Sequence, residues 1–276
     1  MKDVNKLSSK KRSTMKKVLI TGCRGGIGLD SAVALAKLGY TVYATVHKED
    51  SVGELKSYAT QQGIELEIFK LDITKQQDRD KALALDIDVL INNAAIGESG
   101  SLAEIPISNV RKDFETNVFG TLELTQSVLK KMIKKDSGKV IVISSLAGRV
   151  PIAFWGAYCM TKFSLSAASD IMRQELKLIT KNVHVVVVEP GTYATGFNQK
   201  VMASKYSWMD KSSYFNKVID NIRQKEEARF ALFERKSNSS IVKKIVRAVE
   251  ADKPRLRYSA PWWQAAGTRL GRVFGK

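Results

Sequence analysis

The chain has 276 residues, 44% of them hydrophobic and 26% charged, which fits one large globular α/β domain better than two small ones. Its formal charge of +17 is concentrated at the ends: residues 1–17 hold seven basic residues against one acid, and residues 251–276 hold six against one. Basic tails on a nearly balanced body, with no helix-turn-helix, zinc-finger or RNA-platform pattern, exclude a groove-reading protein and suggest a tether or solubilising arm.

In chain order, residues 1–15 form a basic arm without the apolar stretch of a secretory signal. "KVLIT" (17–21) reads as a strand and 26–38 as a helix ending at Gly39. Further strands are expected at 41–46, 66–72, 88–93, 139–145 and 183–190, with the clearest helices over 108–134 and 156–181. Short apolar strands alternating with helices predict a doubly wound parallel sheet of Rossmann type, in which ligands bind at the strands' carboxyl ends. No apolar run approaches the roughly 20 residues of a membrane-spanning helix. Two cysteines, Cys23 and Cys159, give neither a disulfide framework nor a metal spacing, and with only His47 and His184 no metal site is expected. A reducing cytoplasm is the expected home.

The first strand runs into "TGCRGGIG", with Gly22, Gly25, Gly26 and Gly28 between strand and helix. Such a turn brings backbone N–H groups to a pyrophosphate at a helix N-terminus. The second strand ends Val46-His47-Lys48, with no carboxylate before Glu49. A free ribose prefers an acceptor and a 2′-phosphate needs cations, so Arg24 and Lys48 favour NADP(H) over NAD(H), unless Lys48 is merely solvated. In "GAYCMTKF" (156–163), Tyr158 and Lys162 stand at i and i+4, on one helix face. A free phenol titrates near ~10. A neighbouring ammonium and an oxidised nicotinamide should lower that value and make Tyr158 a usable general acid and base.

With these pieces in order, the chain resembles the short-chain dehydrogenase/reductase family over residues 16–260, and within it the hydroxysteroid and retinol dehydrogenase branch. The resemblance rests on "TGCRGGIG" (21–28), "LD" (71–72), "NNAA" (92–95), "NVFG" (117–120), "ISS" (143–145), "YCMTK" (158–162) and "PGTYAT" (190–195). Ala95 stands where the family usually has glycine, and Gly25 where a basic residue is often found. The resemblance implies a catalytic tetrad of Asn117, Ser145, Tyr158 and Lys162, with family spacing favouring Ser145 over Ser144. It also implies cofactor contacts from Gly22, Arg24, Gly25, Gly26, Ile27, Gly28, His47, Lys48, Asp72, Ile73, Asn93, Ala94, Ala95, Tyr158, Lys162, Pro190, Gly191 and Thr195. A homodimer or homotetramer is expected on the same grounds.

Residues 196–238 would form a substrate lid rich in aromatics, among them Phe197, Tyr206, Trp208, Tyr214, Phe215, Phe230 and Phe233, with Phe154 and Trp155 before the tyrosine. These either line a pocket for a lipophilic ketone, aldehyde or secondary alcohol or pack the lid's own core. In the basic segment 261–276, Trp262, Trp263, Ala266, Leu270, Val273 and Phe274 share one helical arc, and Arg269, Arg272 and Lys276 another. That segment could touch an anionic membrane surface, close the pocket or meet a second subunit. Two other functions fit the same residues. One is reduction of a 3-oxoacyl group on an acidic carrier protein. The other is a non-catalytic nucleotide-sensing or membrane-associated binding protein.

Overall fold

The computed structural model describes residues 16–274, so the arm expected over 1–15 lies outside the described residues. The chain runs β1 (Lys17–Ile20), α1 (Gly26–Lys37), β2 (Thr41–Val46), α2 (Asp50–Gln61), β3 (Glu67–Lys70), α3 (Gln76–Ala84) and β4 (Val89–Asn92). It continues through α4 (Ile107–Phe114), α5 (Thr121–Lys134), β5 (Gly138–Ile143), α6 (Gly156–Leu176) and β6 (Val183–Pro190). The last part holds α7 (Phe197–Ser204), α8 (Ile219–Phe233), α9 (Ser239–Glu250), β7 (Arg257–Ala260) and α10 (Trp262–Val273).

All seven strands are parallel, in the order β3-β2-β1-β4-β5-β6-β7. The central strands are apolar without alternation because helices cover both faces. Alternate residues of β1 show the two layers. Val18 and Ile20 join a core with Leu35 of α1 and Ile241 and Ile245 of α9, whereas Leu19 joins Leu124, Val128 and Met132 of α5. After β3 the chain crosses back to pair β4 beside β1, and this reversal opens a crevice at the strands' carboxyl ends. Among the described residues no helix is long and apolar enough to cross a membrane.

Three elements differ from the sequence reading. The helix expected over 108–134 contains a six-residue π turn, Glu115–Gly120, between α4 and α5. Gly120 lies so close to the β3–α3 connection that a Cβ there would stand 2.9 Å from the Ile73 carbonyl oxygen. The helix expected over 156–181 stops at Leu176, beyond which Leu178 and Ile179 turn outward. Finally, β7 was not anticipated, since its four residues alternate as an edge strand: Tyr258 and Ala260 point inward, Arg257 and Ser259 do not.

The last two converge on a buried acid of β6. Glu189 Oε1 accepts from Arg257 Nη1 at 2.6 Å and Arg149 Nε at 2.7 Å, and Oε2 accepts from Ser259 Oγ at 2.9 Å. Arg257 also pairs with Asp170 of α6. Removing one partner leaves uncompensated buried charge. Glu189→Ala should therefore lower unfolding free energy by about 3 kcal/mol in urea titration; an unchanged midpoint would show the network to be dispensable.

Candidate active site

A cleft of about 1210 Å³ lies along the carboxyl ends of the strands. At one end the chain leaves β1 into the glycine turn, where Gly22 (φ +74°) and Gly26 (φ +60°) take left-handed backbone that other residues rarely adopt. A Cβ on Gly28 would stand 2.4 Å from Asn93 Nδ2, which itself donates to the carbonyls of Thr21 and Gly22 at 2.9 Å. This locks the turn to the end of β4. Gly25, the N-cap of α1, is extended and carries no capping side chain, so the first N–H groups of the helix face the cleft unsatisfied by a side chain. These features fit a dinucleotide's pyrophosphate. Every residue expected to touch cofactor lines this cleft, from Gly22 through Asp72 and Ala95 to Thr195.

Basic side chains and carboxylates meet on the rim beyond β2. His47 and Lys48 line the cleft, whereas Glu49 does not. Arg24 reaches Glu54 of α2 at 3.7 Å, and His47 reaches Asp72 at 3.8 Å. Asp72 also accepts from Thr74 N and Oγ1, which fixes the turn after β3.

At the other end, the first turns of α6 bury Tyr158 and Lys162 side by side. Lys162 Nζ stands 5.5 Å from the Tyr158 ring centroid and donates to the Ile143 carbonyl at 3.0 Å. Burial lowers Lys162 to about 8, partly offset by the Asp113 carboxylate. The expected acidification of Tyr158 is not found. Burial pushes the phenol well above its ordinary value, and the nearby Ser145 hydroxyl offsets only part of this. The physical reason is that desolvation of the phenolate outweighs an ammonium held to a backbone carbonyl beside the ring.

The two serines separate clearly. Ser144 Oγ is buried against the Lys162 carbonyl (3.1 Å) and Ser166 Oγ (2.9 Å), which ties β5 to α6. Ser145 lines the cleft, and its Oγ accepts from Ala147 N at 3.0 Å. Asn117 sits in the π turn, fully buried and outside the cleft lining. Its Nδ2 donates to the Ile96 carbonyl at 2.8 Å and Thr161 Oγ1 at 3.1 Å, so it joins the helix to α6. Cys159 packs with Trp155, Tyr158 and Val201, away from the cleft.

The lid's aromatics divide. Phe197, Phe230 and Phe233 line the cleft with Trp155. The others do not line it. Phe215 packs edge-on against Phe154, Tyr206 turns to Glu226 and Arg223, and Tyr214 is solvent-exposed. Trp208 covers Gly100, where a Cβ would be only 2.0 Å from its ring. The shared arc expected for the C-terminal segment is also corrected. Trp263 turns into the cleft and stacks on Phe233 at 5.7 Å, while Trp262 remains 79% exposed with Leu270, Val273 and Phe274. Lys276 lies outside the described residues.

A family profile described as short chain dehydrogenase matches residues 16–205. The chain belongs to the short-chain dehydrogenase family. As a short-chain dehydrogenase it is an oxidoreductase of a family that binds nicotinamide cofactors. It is 32% identical to the uncharacterized oxidoreductase YbbO of Escherichia coli over 95% of this chain and 93% of that one. It is also 32% identical to estradiol 17-beta-dehydrogenase 1 of Rattus norvegicus, over 87% of this chain and 72% of the relative. A solved short-chain dehydrogenase from Burkholderia phymatum in complex with NAD has the same fold, with TM-score 0.78 at 18% identity over 94% of this chain and 93% of that one.

Sequence reasoning missed the part of this short-chain dehydrogenase's cleft built by α10. Gln264 Oε1 accepts from Thr192 N at 2.8 Å, and its Nε2 donates to the Phe233 carbonyl at 2.8 Å, closing lid and β6 exit together. A glutamine in a tryptophan- and glycine-rich segment carries no motif that would mark it. Where the sequence was explicit, the geometry gives a clean test. Gly25 has open space where a Cβ would project and an extended backbone any residue can adopt. Gly25→Ala should leave the thermal midpoint within about 2 °C yet weaken binding of reduced nicotinamide dinucleotide about tenfold or more, measured by nucleotide fluorescence. Undiminished binding would remove the pyrophosphate from the turn.

Proposed function

We propose that this short-chain dehydrogenase uses NADP(H) to interconvert a lipophilic ketone or aldehyde and the corresponding alcohol, with Tyr158 as general acid and base. The observation that carries the reading is the burial of Tyr158 and Lys162 one helical turn apart on the cleft wall, with Ser145 facing the phenol. Bound nicotinamide supplies or accepts the hydride. The chain's own residues hold the substrate oxygen and move the proton.

In reduction, Ser145 Oγ would orient the carbonyl oxygen and Tyr158 would give it a proton as hydride reaches the carbon. A phenol raised by burial holds the proton this direction needs but is a weaker acid, so the Lys162 ammonium would have to ease its release. In oxidation the phenol must lose its proton, and the positive charge of an oxidised nicotinamide would assist Lys162 there. Asn117, through Thr161 and Ile96, fixes α6 and the exit of β4 around this pair.

Substrate class follows from the lining. Phe197, Phe230, Phe233, Trp155 and Trp263 surround the cleft beyond Tyr158, and a polycyclic or long-chain apolar body suits such walls. The likeness to the rat estradiol 17-beta-dehydrogenase supports the same class. For the cofactor, Arg24 and Lys48 offer cations beside the end of β2, where Glu49 does not line the cleft, and they suit a 2′-phosphate, with Asp72 on the neighbouring strand end and Glu54 paired to Arg24.

Two measurements test this. Tyr158→Phe should retain NADPH binding and lose turnover about 100-fold or more, followed by NADPH absorbance across a panel of apolar ketones; turnover equal to the parent would refute the assignment. Replacing Arg24 and Lys48 together by alanine should weaken NADPH about tenfold while NADH changes little. Equal losses for both nucleotides would deny those cations a role in cofactor choice.

A further inference from the structure

Asp113 lies one helical turn before Asn117 and is fully buried. Its Oδ2 accepts from Glu98 N at 2.9 Å, whereas Oδ1 is buried with no hydrogen-bond partner among the described residues. Asn117 grips the same segment: its Oδ1 accepts from Ile96 N at 2.9 Å and its Nδ2 donates to Ile96 O at 2.8 Å. Between these anchors runs Gly97, where a Cβ would stand 3.1 Å from Tyr158 Cδ2. Two side chains from successive helix turns thus hold residues 96–98 against the phenol.

A loop anchor needs one acceptor, and asparagine would supply it without burying an ionisable group. The unpartnered Oδ1 asks for something more, either a proton of its own or a water. The charged and titratable groups facing Asp113 come from three elements. Tyr158 and Lys162 face it from α6, and Glu98 from the segment after β4; Lys112, its neighbour on α4, pairs with Glu98 at 3.0 Å. Burial pushes the carboxyl up to about 7, with the Glu98 carboxylate adding to the rise and the Glu98 N–H, Lys112 and Lys162 opposing it.

We propose that Asp113 is a positioning residue of the proton relay, pinning Glu98 with one oxygen and holding on the other the proton that restores Lys162. The proposal rests on Tyr158 being the acid. In carbonyl reduction Tyr158 gives one proton to the substrate oxygen, and the Lys162 ammonium returns one to the phenolate. The Asp113 carboxylic acid then returns one to the Lys162 amine across an intervening water. Asp113 is left as carboxylate and takes its next proton from solvent. No electrons move in these steps, and each proton lost by one group is gained by the next. The order is downhill, from an acid near 7 through an amine near 8 to a phenol above its ordinary value.

Two readouts on the full chain test this. The first needs no turnover. A carboxyl whose folded pKa exceeds its unfolded value favours the fold below the unfolded value, and that stability is lost as pH rises from 3.8 to about 7. Asp113→Asn should match the parent's urea midpoint near about pH 4 and exceed it near about pH 8. A variant that is less stable than the parent at the higher pH, or does not fold there, overturns the proposal. The second readout is the pH profile of kcat for reduction. The parent should show an ionisation near neutrality that Asp113→Asn removes, with kcat down about tenfold and KM within about twofold, and that Asp113→Glu brings back. A profile unchanged in Asp113→Asn, or an ionisation not restored by glutamate, overturns it as well. If Tyr158→Phe proves fully active, the reading of Tyr158 fails, whereas the stability comparison still answers for Asp113.

Discussion

A phenol and an ammonium buried together on one turn of α6 constrain the rest of this short-chain dehydrogenase. Both are ionisable, and water solvates neither well where they sit. Every adjacent polar group is arranged around that cost. Ile143 gives Lys162 a carbonyl, Ser144 accommodates the Lys162 carbonyl in turn, and Asn117 and Thr161 stitch α6 to the helix beside it. The same dryness that costs stability sharpens the chemistry, since charges interact more strongly where water is scarce.

Dryness also sets a direction. It drives the phenol towards holding its proton and the amine towards losing one. With the cleft free of added charge, the phenol keeps its proton and releases it reluctantly, so the Lys162 ammonium would have to ease its transfer to a carbonyl. Oxidation would depend on positive charge brought by the cofactor itself. On the proposed reading, the free protein holds the proton that reduction uses, and the state of the nicotinamide enables its removal in oxidation.

Most of this architecture could be read from residues. The strands announced themselves as unbroken apolar runs because both sheet faces are covered, and Gly22, Gly26 and Gly28 marked a turn with no room for larger side chains. Tyr158 and Lys162 were legible as an i, i+4 pair. What could not be read depends on contacts distant in sequence. β7 is four residues long and takes its place through Glu189, and the π turn at Asn117 answers to the crowding of Gly120 against Ile73. Trp262 and Trp263 looked equivalent on a helical wheel, but docking of α10 on the lid sends one into the cleft and leaves the other outside. The rise of the Tyr158 phenol in the free protein is not legible for the same reason, because spacing reports a neighbour's charge and says nothing about burial.

The lid divides its aromatics between enclosing a substrate and holding itself together, and Lys205, fully buried on Glu226, belongs to the second task. Glu226 also accepts from Trp155 Nε1 at 3.1 Å, so the lid's internal ion pair fixes a cleft wall at the residue that caps α6. On the proposed reading, one ion pair thus braces both a substrate wall and the start of the helix that carries Tyr158. The most direct test of the whole account is a spectroscopic titration of the Tyr158 phenol, taken as the tyrosinate difference between parent and Tyr158→Phe, without nucleotide and with NADP⁺. The account predicts ionisation above the ordinary ~10 in the free protein and a clear downward move when NADP⁺ binds. Ionisation at or below the ordinary value in the free protein, or no response to NADP⁺, would contradict it.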